Sequence, residues 1–469
     1  MRFVIVYLFF CLFFCTTAFA QHYSLYNTGT MYDAFENPSQ KSFQIDSSKR
    51  YSFNFFIPTA GVNYAIGGPA DAALRKVLYT GIYDTRSVSL DADKPNYAVL
   101  SENSYLLAFR MLKTVKYQRE MGFSWQIKTE GRGTTTNRAL IVMNNYNRIV
   151  DELLNKGELD NNIFNTTISA QSYHQFSFTY RENYNKRLAW GLKLSYLSGM
   201  MYNRIKLNSS TLQFSDDGTG YDVVLNGNYK TSFYYDDFDY KSLRPGFKNP
   251  GAALGLSVNY RTASGWYIMG NLKDMGFIKW NKKSYEFRAD DYKIKASRAD
   301  DSLWNDIKDK LQRQGYLSAT NSKAEGLMSK DFGAYSAALI LSKNLLNKGG
   351  DAALVNTIKY RALQVSLPLT YNLDYGFQAG GQLMIKSPNV EFFLGSDQSL
   401  KTSTSVKSFS TSDETLGKGY SGASVYFGFA LKFGPVMNRW QNSTLVPGIN
   451  DKPARKTLMT RLFGHRADY

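Results

Sequence analysis

Apolar and polar residues alternate one for one through segment after segment of this chain, each about ten residues long. Successive residues of a β-strand point to opposite faces, so each such segment presents one apolar and one polar face. In 120–129, Met121, Phe123, Trp125 and Ile127 alternate with Gly122, Ser124, Gln126 and Lys128. In 252–261, Leu254, Leu256, Val258 and Tyr260 oppose Ala253, Gly255, Ser257 and Asn259. The pattern recurs in 187–197, 363–371 and 375–386, and more weakly near 51–57, 104–112, 172–181, 335–343, 388–395 and 420–433. No apolar run long enough for a membrane helix follows residue 20. The apolar parity is bulky and turns aromatic toward strand ends, whereas the other parity is small or polar. That contrast favours a lipid-facing barrel over a soluble sandwich.

Short polar breaks at 182–186, 262–265 and 372–374 contrast with long segments at 67–99, 130–170, 281–334 and 396–419. Short turns at one end and long loops at the other are the pattern of an outer-membrane barrel. The fold expected is all-β: a transmembrane antiparallel barrel of about 14 strands (roughly 12–16), with short helices in its long loops. Segments 203–214 and 221–232 complete that count around the turn at Asp217-Gly218. Trp266 and Trp280 bracket one strand and are expected to mark its two interfacial girdles. Helices are expected over 138–156 and 302–313, and a mobile loop over the Ser/Thr-rich 402–412.

Residues 1–20 read as a cleaved signal peptide, with Arg2, an apolar core from Phe3 to Phe14, and Ala18-Phe19-Ala20 before Gln21. Both cysteines, Cys11 and Cys15, fall within it, so the mature chain holds neither disulfide nor thiolate site. The expected layout is signal 1–20, a periplasmic or lumenal segment 21–50, barrel 51–434 and a basic tail 435–469. The formal net charge is +17. The basic residues are dispersed and no nucleic-acid motif accompanies them, so phosphate-bearing outer-membrane lipids are the partners expected for surface Lys and Arg. Tail residues Lys452, Arg455, Lys456, Arg461 and Arg466 are expected to solubilise a tail or to meet anionic periplasmic partners.

The histidines His22, His174 and His465 stand far apart. His174 shares the lipid-facing parity of Phe176, Phe178 and Tyr180, and no Ser-His-Asp arrangement can be assembled around it. No enzymatic activity, metal or cofactor is expected. Asp236, Asp237 and Asp239 lack the spacing of a calcium loop and read as a solvated loop. Parity switches across Lys273-Asp274: Ile268 and Leu272 share even parity, Met275 and Phe277 odd parity. One extra residue there predicts a β-bulge. Asn271, Lys273 and Asp274 are therefore the candidate ligand-binding or gating residues.

The last candidate strand, from Ser424 to Gly434, resembles the signal read by the barrel assembly machinery. Tyr426, Gly428, Leu431 and Phe433 occupy its positions, although 36 further residues follow Phe433. Tyr32-Asp-Ala-Phe-Glu-Asn-Pro-Ser39, Asp274-Met-Gly-Phe-Ile-Lys-Trp280 and Val390-Glu-Phe-Phe-Leu-Gly-Ser-Asp397 resemble an uncharacterised Bacteroidota family of outer-membrane barrels. Asn37-Pro38-Ser39 is similar to an element that opens long-chain fatty-acid transporter-like barrels, with serine in place of alanine. That resemblance implies 14 strands, an N-terminal plug, a hydrophobic small-molecule ligand, and a wall kink that opens laterally. The function expected is a passive channel or transporter for small solutes in the outer membrane. The alternative is a scaffold for surface assembly or secretion.

Overall fold

The computed structural model describes residues 23–438 except 81–83, 87, 91–94, 143–161, 163, 215–220, 235–238, 296–309, 375 and 412–419. All its strands join one antiparallel sheet. β1 (Lys49–Phe53) and β2 (Ala60–Gly67) are two halves of one stave. β3 (Asn96–Thr114), β4 (Arg119–Thr135), β5 (Thr166–Asn183) and β6 (Leu188–Phe214) follow as hairpins. β7 (Tyr221–Thr231) pairs with the upper half of β6, and β8 (Pro250–Arg261) with its lower half. β9 (Trp266–Lys279) continues the wall, while β10 (Tyr285–Lys295) pairs with β7 in a flap beyond it. The short β11 (Gln312–Arg313) and β12 (Leu317–Ala319) edge β10 and β9.

Then come β13 (Lys323–Asp331), β14 (Tyr335–Asn344), β15 (Gly350–Tyr360) and β16 (Leu363–Asn372). β17 (Gly376–Ala379) and β18 (Gly381–Lys386) share a stave, followed by β19 (Val390–Ser396) and β20 (Tyr420–Val436). β20 pairs with β19 on one side and with β1 and β2 on the other, which closes a barrel of 14 staves. Closure leaves the wall no free edge, a requirement for backbone surrounded by lipid.

The alternation sorts as its chemistry demands. On β16, Val365, Leu367 and Tyr371 point outward and are about half exposed, whereas Ser366 and Thr370 point inward and are buried. Rows of such outward Leu, Val, Ile and Phe are stable only against lipid.

The total of 14 agrees with the sequence reading, but its membership differs. Segment 203–214 is the upper part of β6, and 221–232 forms the flap strand β7 outside the wall. Their places are taken by β13 and β15, the first of which lies inside the long segment 281–334. The 372–374 break lies at the long-connection end instead of among the short turns. The Ser/Thr-rich stretch is a helix, Ser399–Thr411. Thr402 Oγ1 and Ser405 Oγ donate to the carbonyls of Ser424 and Gly422, and these bonds to the top of β20 outweigh weak helix propensity. A helix begins at Asn137–Val142, and the rest of that expected helix lies outside the described residues. Of the helix expected over 302–313, residues 302–309 lie outside the described residues, and Gln312–Arg313 is a short strand.

Candidate functional site

Residues 23–48 enter the lumen and fill it. A short helix, Met31–Glu36, is capped by Thr30, whose side chain accepts from the Asp33 N–H. Pro38, with no N–H and a restricted predecessor, ends it. Met31, Tyr32, Ala34, Phe35 and Phe43 are at most 1 % exposed.

The wall grips this plug through polar side chains aimed inward from many strands. Glu391 accepts from the Met31 N–H at 2.8 Å and pairs with Lys432 at 2.7 Å. Glu120 accepts from the Ser42 N–H and pairs with Arg110 at 3.0 Å, both side chains being fully buried. Arg181 Nε and Asn259 Nδ2 donate to the Ser39 carbonyl at 2.9 and 2.6 Å. Tyr26 OH donates to Glu325, and Tyr23 OH to Asp351. Buried charges of this kind persist only when paired and hydrogen-bonded.

The three residues singled out on β9 converge on the plug. Asn271 Nδ2 donates to the Glu36 carbonyl, to Asn37 Oδ1 and to Glu325. Lys273 forms an ion pair with Glu36, whose other oxygen accepts from Asn103 at 2.6 Å and from Tyr105. Burial alone would raise the Glu36 pKa, but Lys273, Lys128 and Lys193 outweigh it and hold the carboxyl well below its usual range. Asp274 pairs with Lys128, stands 3.5 Å from Lys193, and accepts from Gln175 at 2.9 Å.

The parity switch is a bulge. Leu254 faces Met275 and Leu256 faces Leu272, so Gly255 opposes both Lys273 and Asp274. Asp274 takes a left-handed φ of 50°, and Thr320 Oγ1 and Ser322 Oγ bond its carbonyl. The bulge overturns one expectation. Trp266 faces outward at the short-turn end, but the switch turns Trp280 inward, where it is 1 % exposed and its Nε1 donates to Ser318.

Above the plug, Tyr26, Glu36, Glu102, Lys128, Glu130 and Lys323 help line a cavity of about 80 Å³. That is room for several waters, well below the roughly 300 Å³ of a typical ligand pocket. A second wall defect adjoins it. Phe53 pairs with Phe109 and Thr59 with Tyr105, so residues 54–58 stand against only 106–108 and bulge toward lipid. Phe55 and Phe56 there have φ of 51° and 59°. Thr59, Tyr32 and Tyr105 line the cavity beside this break. The break falls within the alternating segment expected near 51–57, where Phe55-Phe56-Ile57-Pro58 interrupts the alternation with three bulky residues and a proline.

Of the residues expected to carry the assembly signal, Tyr426 and Gly428 face the lumen. Tyr426 OH donates to Gln382, and Gly428 abuts the Phe393 ring. Phe433 faces lipid. His174 points outward but is covered: Nδ1 accepts from Trp125 Nε1 at 3.1 Å, so Nε2 carries the proton donated to the Leu243 carbonyl at 2.8 Å. Asp236, Asp237, Asp217, His22, His465 and the tail cations lie outside the described residues. Among the described residues there is no cluster of His, Cys, Asp and Glu arranged to hold a metal.

The sequence pattern of a family of unknown function, DUF5723, matches residues 48–397, from just after the plug to the end of β19. The chain belongs to that family. Among solved structures it is similar to the toluene transporter TbuX of Ralstonia pickettii, with 10 % identity, a TM-score of 0.41, and coverage of 86 % of this chain and 94 % of that one. For the toluene transporter TodX of Pseudomonas putida the values are 7 %, 0.40, 87 % and 94 %. For the translocator domain of the autotransporter NalP from Neisseria meningitidis they are 8 %, 0.33, 83 % and 90 %. No curated protein matches the sequence.

Proposed function

We propose that this DUF5723 barrel resides in the outer membrane and passes small polar solutes when its N-terminal plug yields. The observation that carries the reading is the way the plug is held: by ion pairs and hydrogen bonds from many strands, around a small cavity lined with carboxylates, lysines and tyrosines. Polar contacts of this kind exchange with water at modest net cost, which suits a seal that must reopen. Glu36, Glu102, Glu130, Asp274, Lys128 and Lys323 all reach the cavity beside its tyrosines, and a hydrophobic solute would deprive these charged groups of water without pairing them, so the polar class is favoured over the hydrophobic one implied by resemblance. In this reading Lys273 and Asn271 latch the plug, and Asp274 keeps Lys128 and Lys193 neutralised in the wall. No reaction is assigned to His174, whose two ring nitrogens are both engaged.

The test is uptake of small polar solutes into liposomes carrying the refolded mature protein, alongside single-channel recording. Intermittent openings are expected from the native protein. Lys273→Ala removes the cation in direct contact with Glu36, costing about 3 kcal/mol of docking, and should lengthen the openings. A scaffold role is the second reading, favoured by the completeness with which Tyr32, Phe35 and Phe43 are packed. Silence from both proteins, or uptake of toluene in preference to polar solutes, would overturn the proposal.

A further inference from the structure

One stretch of chain turns back over the outer surface of the wall. The connection into β8 lies against β5 and β6, where His174 donates to the Leu243 carbonyl and Tyr196 OH to the Gly246 carbonyl at 2.9 Å. The Gly246 N–H donates to Ser198 Oγ at 2.9 Å, and the Gly199 N–H to the Asn249 carbonyl, also at 2.9 Å. The Phe247 ring sits 5.4 Å from that of Tyr196, extending a row of rings that runs through Phe176 to Trp125. This strap is therefore fixed to the wall at the level of an aromatic girdle, on the side bearing the long connections.

The backbone groups of Leu243, Gly246 and Asn249 bond to the wall, and two kinds of side chain are turned away from it. Tyr240, Leu243 and Phe247 are apolar and exposed, the last at 85 %. Lys241, Arg244 and Lys248 alternate with them and are also exposed; none has a carboxylate partner among the described residues. The one described acid in the segment, Asp239, is used locally, accepting from the Lys241 N–H at 2.9 Å. Cations with no carboxylate partner among the described residues, interleaved with apolar groups beside a lipid-facing wall at girdle height, complement an interface of acyl chains below and phosphates above.

We propose that the strap 239–249 is a binding site for the phosphate-bearing headgroups of the adjacent lipid leaflet. The rings and Leu243 enter the acyl boundary and the three cations bind phosphate. The site depends on the lipid-facing wall and is independent of whether the lumen transports anything.

The test is native mass spectrometry of the detergent-extracted full chain, probed with lipid A and with lipid A stripped of its phosphates. Lipid A should bind the native protein and lose roughly a hundredfold in affinity with the triple variant K241Q/R244Q/K248Q. The dephosphorylated probe should not tell the two proteins apart. K282Q/K283Q, which removes exposed charge elsewhere near the same rim, should bind like the native protein. Should the triple variant fail to show heat-modifiable migration, R244Q alone must show a smaller loss in the same direction. Equal binding by native and variant proteins, an equal loss in K282Q/K283Q, or displacement of the lipid by millimolar inorganic phosphate would each overturn the assignment.

Discussion

Gly191 lies on the lumenal face of β6 where the Pro38 backbone passes, so close that a methyl group there would fall 2.1 Å from the Pro38 carbonyl carbon. Gly191→Ala therefore has to displace Asn37-Pro38-Ser39. The expected outcome is a folded barrel whose plug is released, seen as rapid hydrogen exchange over 31–36 and a raised conductance. A second residue makes docking depend on pH. Burial pushes the Asp33 carboxyl up from 3.8 to about 6, against the bonds it accepts from Asn37 and Gly29. A carboxyl that binds its proton more readily docked than undocked favours docking at low pH, and that contribution is lost as pH rises through about 6. The interval corresponds to about 3 kcal/mol. Glu36, held low, acts in the opposite sense, with its contribution lost only as pH falls below 4.5. Liposome leakage through the native protein should therefore rise between pH 4.5 and 6, and Asp33→Asn should flatten that rise.

At the scale of single strands, irregularity carries the information. β9 alternates on either side of Lys273-Asp274 but with opposite parity, and the switch was legible in the sequence. Its consequence for Trp280 is hidden because Trp266 and Trp280 have the same parity when residues are counted straight through the bulge. β13 and β15 were harder to read. The outward positions of β13 include Ala324 and Gly326, and those of β15 are interrupted by Asn356, so neither offers a clean apolar stripe. The break between β1 and β2 holds two phenylalanines in a left-handed backbone that costs a side-chain-bearing residue about 1 kcal/mol or more. Phe56→Gly should therefore be more stable than Phe56→Ala by about 1 kcal/mol in equilibrium refolding, because only alanine retains the strain. Equal stabilities would mean that the lipid contact, and not the backbone, sets the energetics of this segment.

For the molecule as a whole, the barrel was legible because lipid imposes a single chemistry on one face of every stave. The site was only half legible. The sequence drew attention to 32–39, 274–280 and 390–397 separately, while closure of the barrel brings Glu36 to Lys273, and Met31 to Glu391, across hundreds of residues. Removing residues 23–47 should leave a heat-modifiable barrel, since its inward charges would then meet water, and should turn intermittent openings into a continuous conductance. The plug also leads directly into β1, which is hydrogen-bonded to both β20 and β3. Once undocked it remains tethered a few residues from its seat, at an effective concentration in the millimolar range. Reclosure is then a unimolecular event whose rate is independent of protein concentration, and a free peptide spanning residues 23–47, added at micromolar levels, should leave the closed fraction of the native channel unchanged.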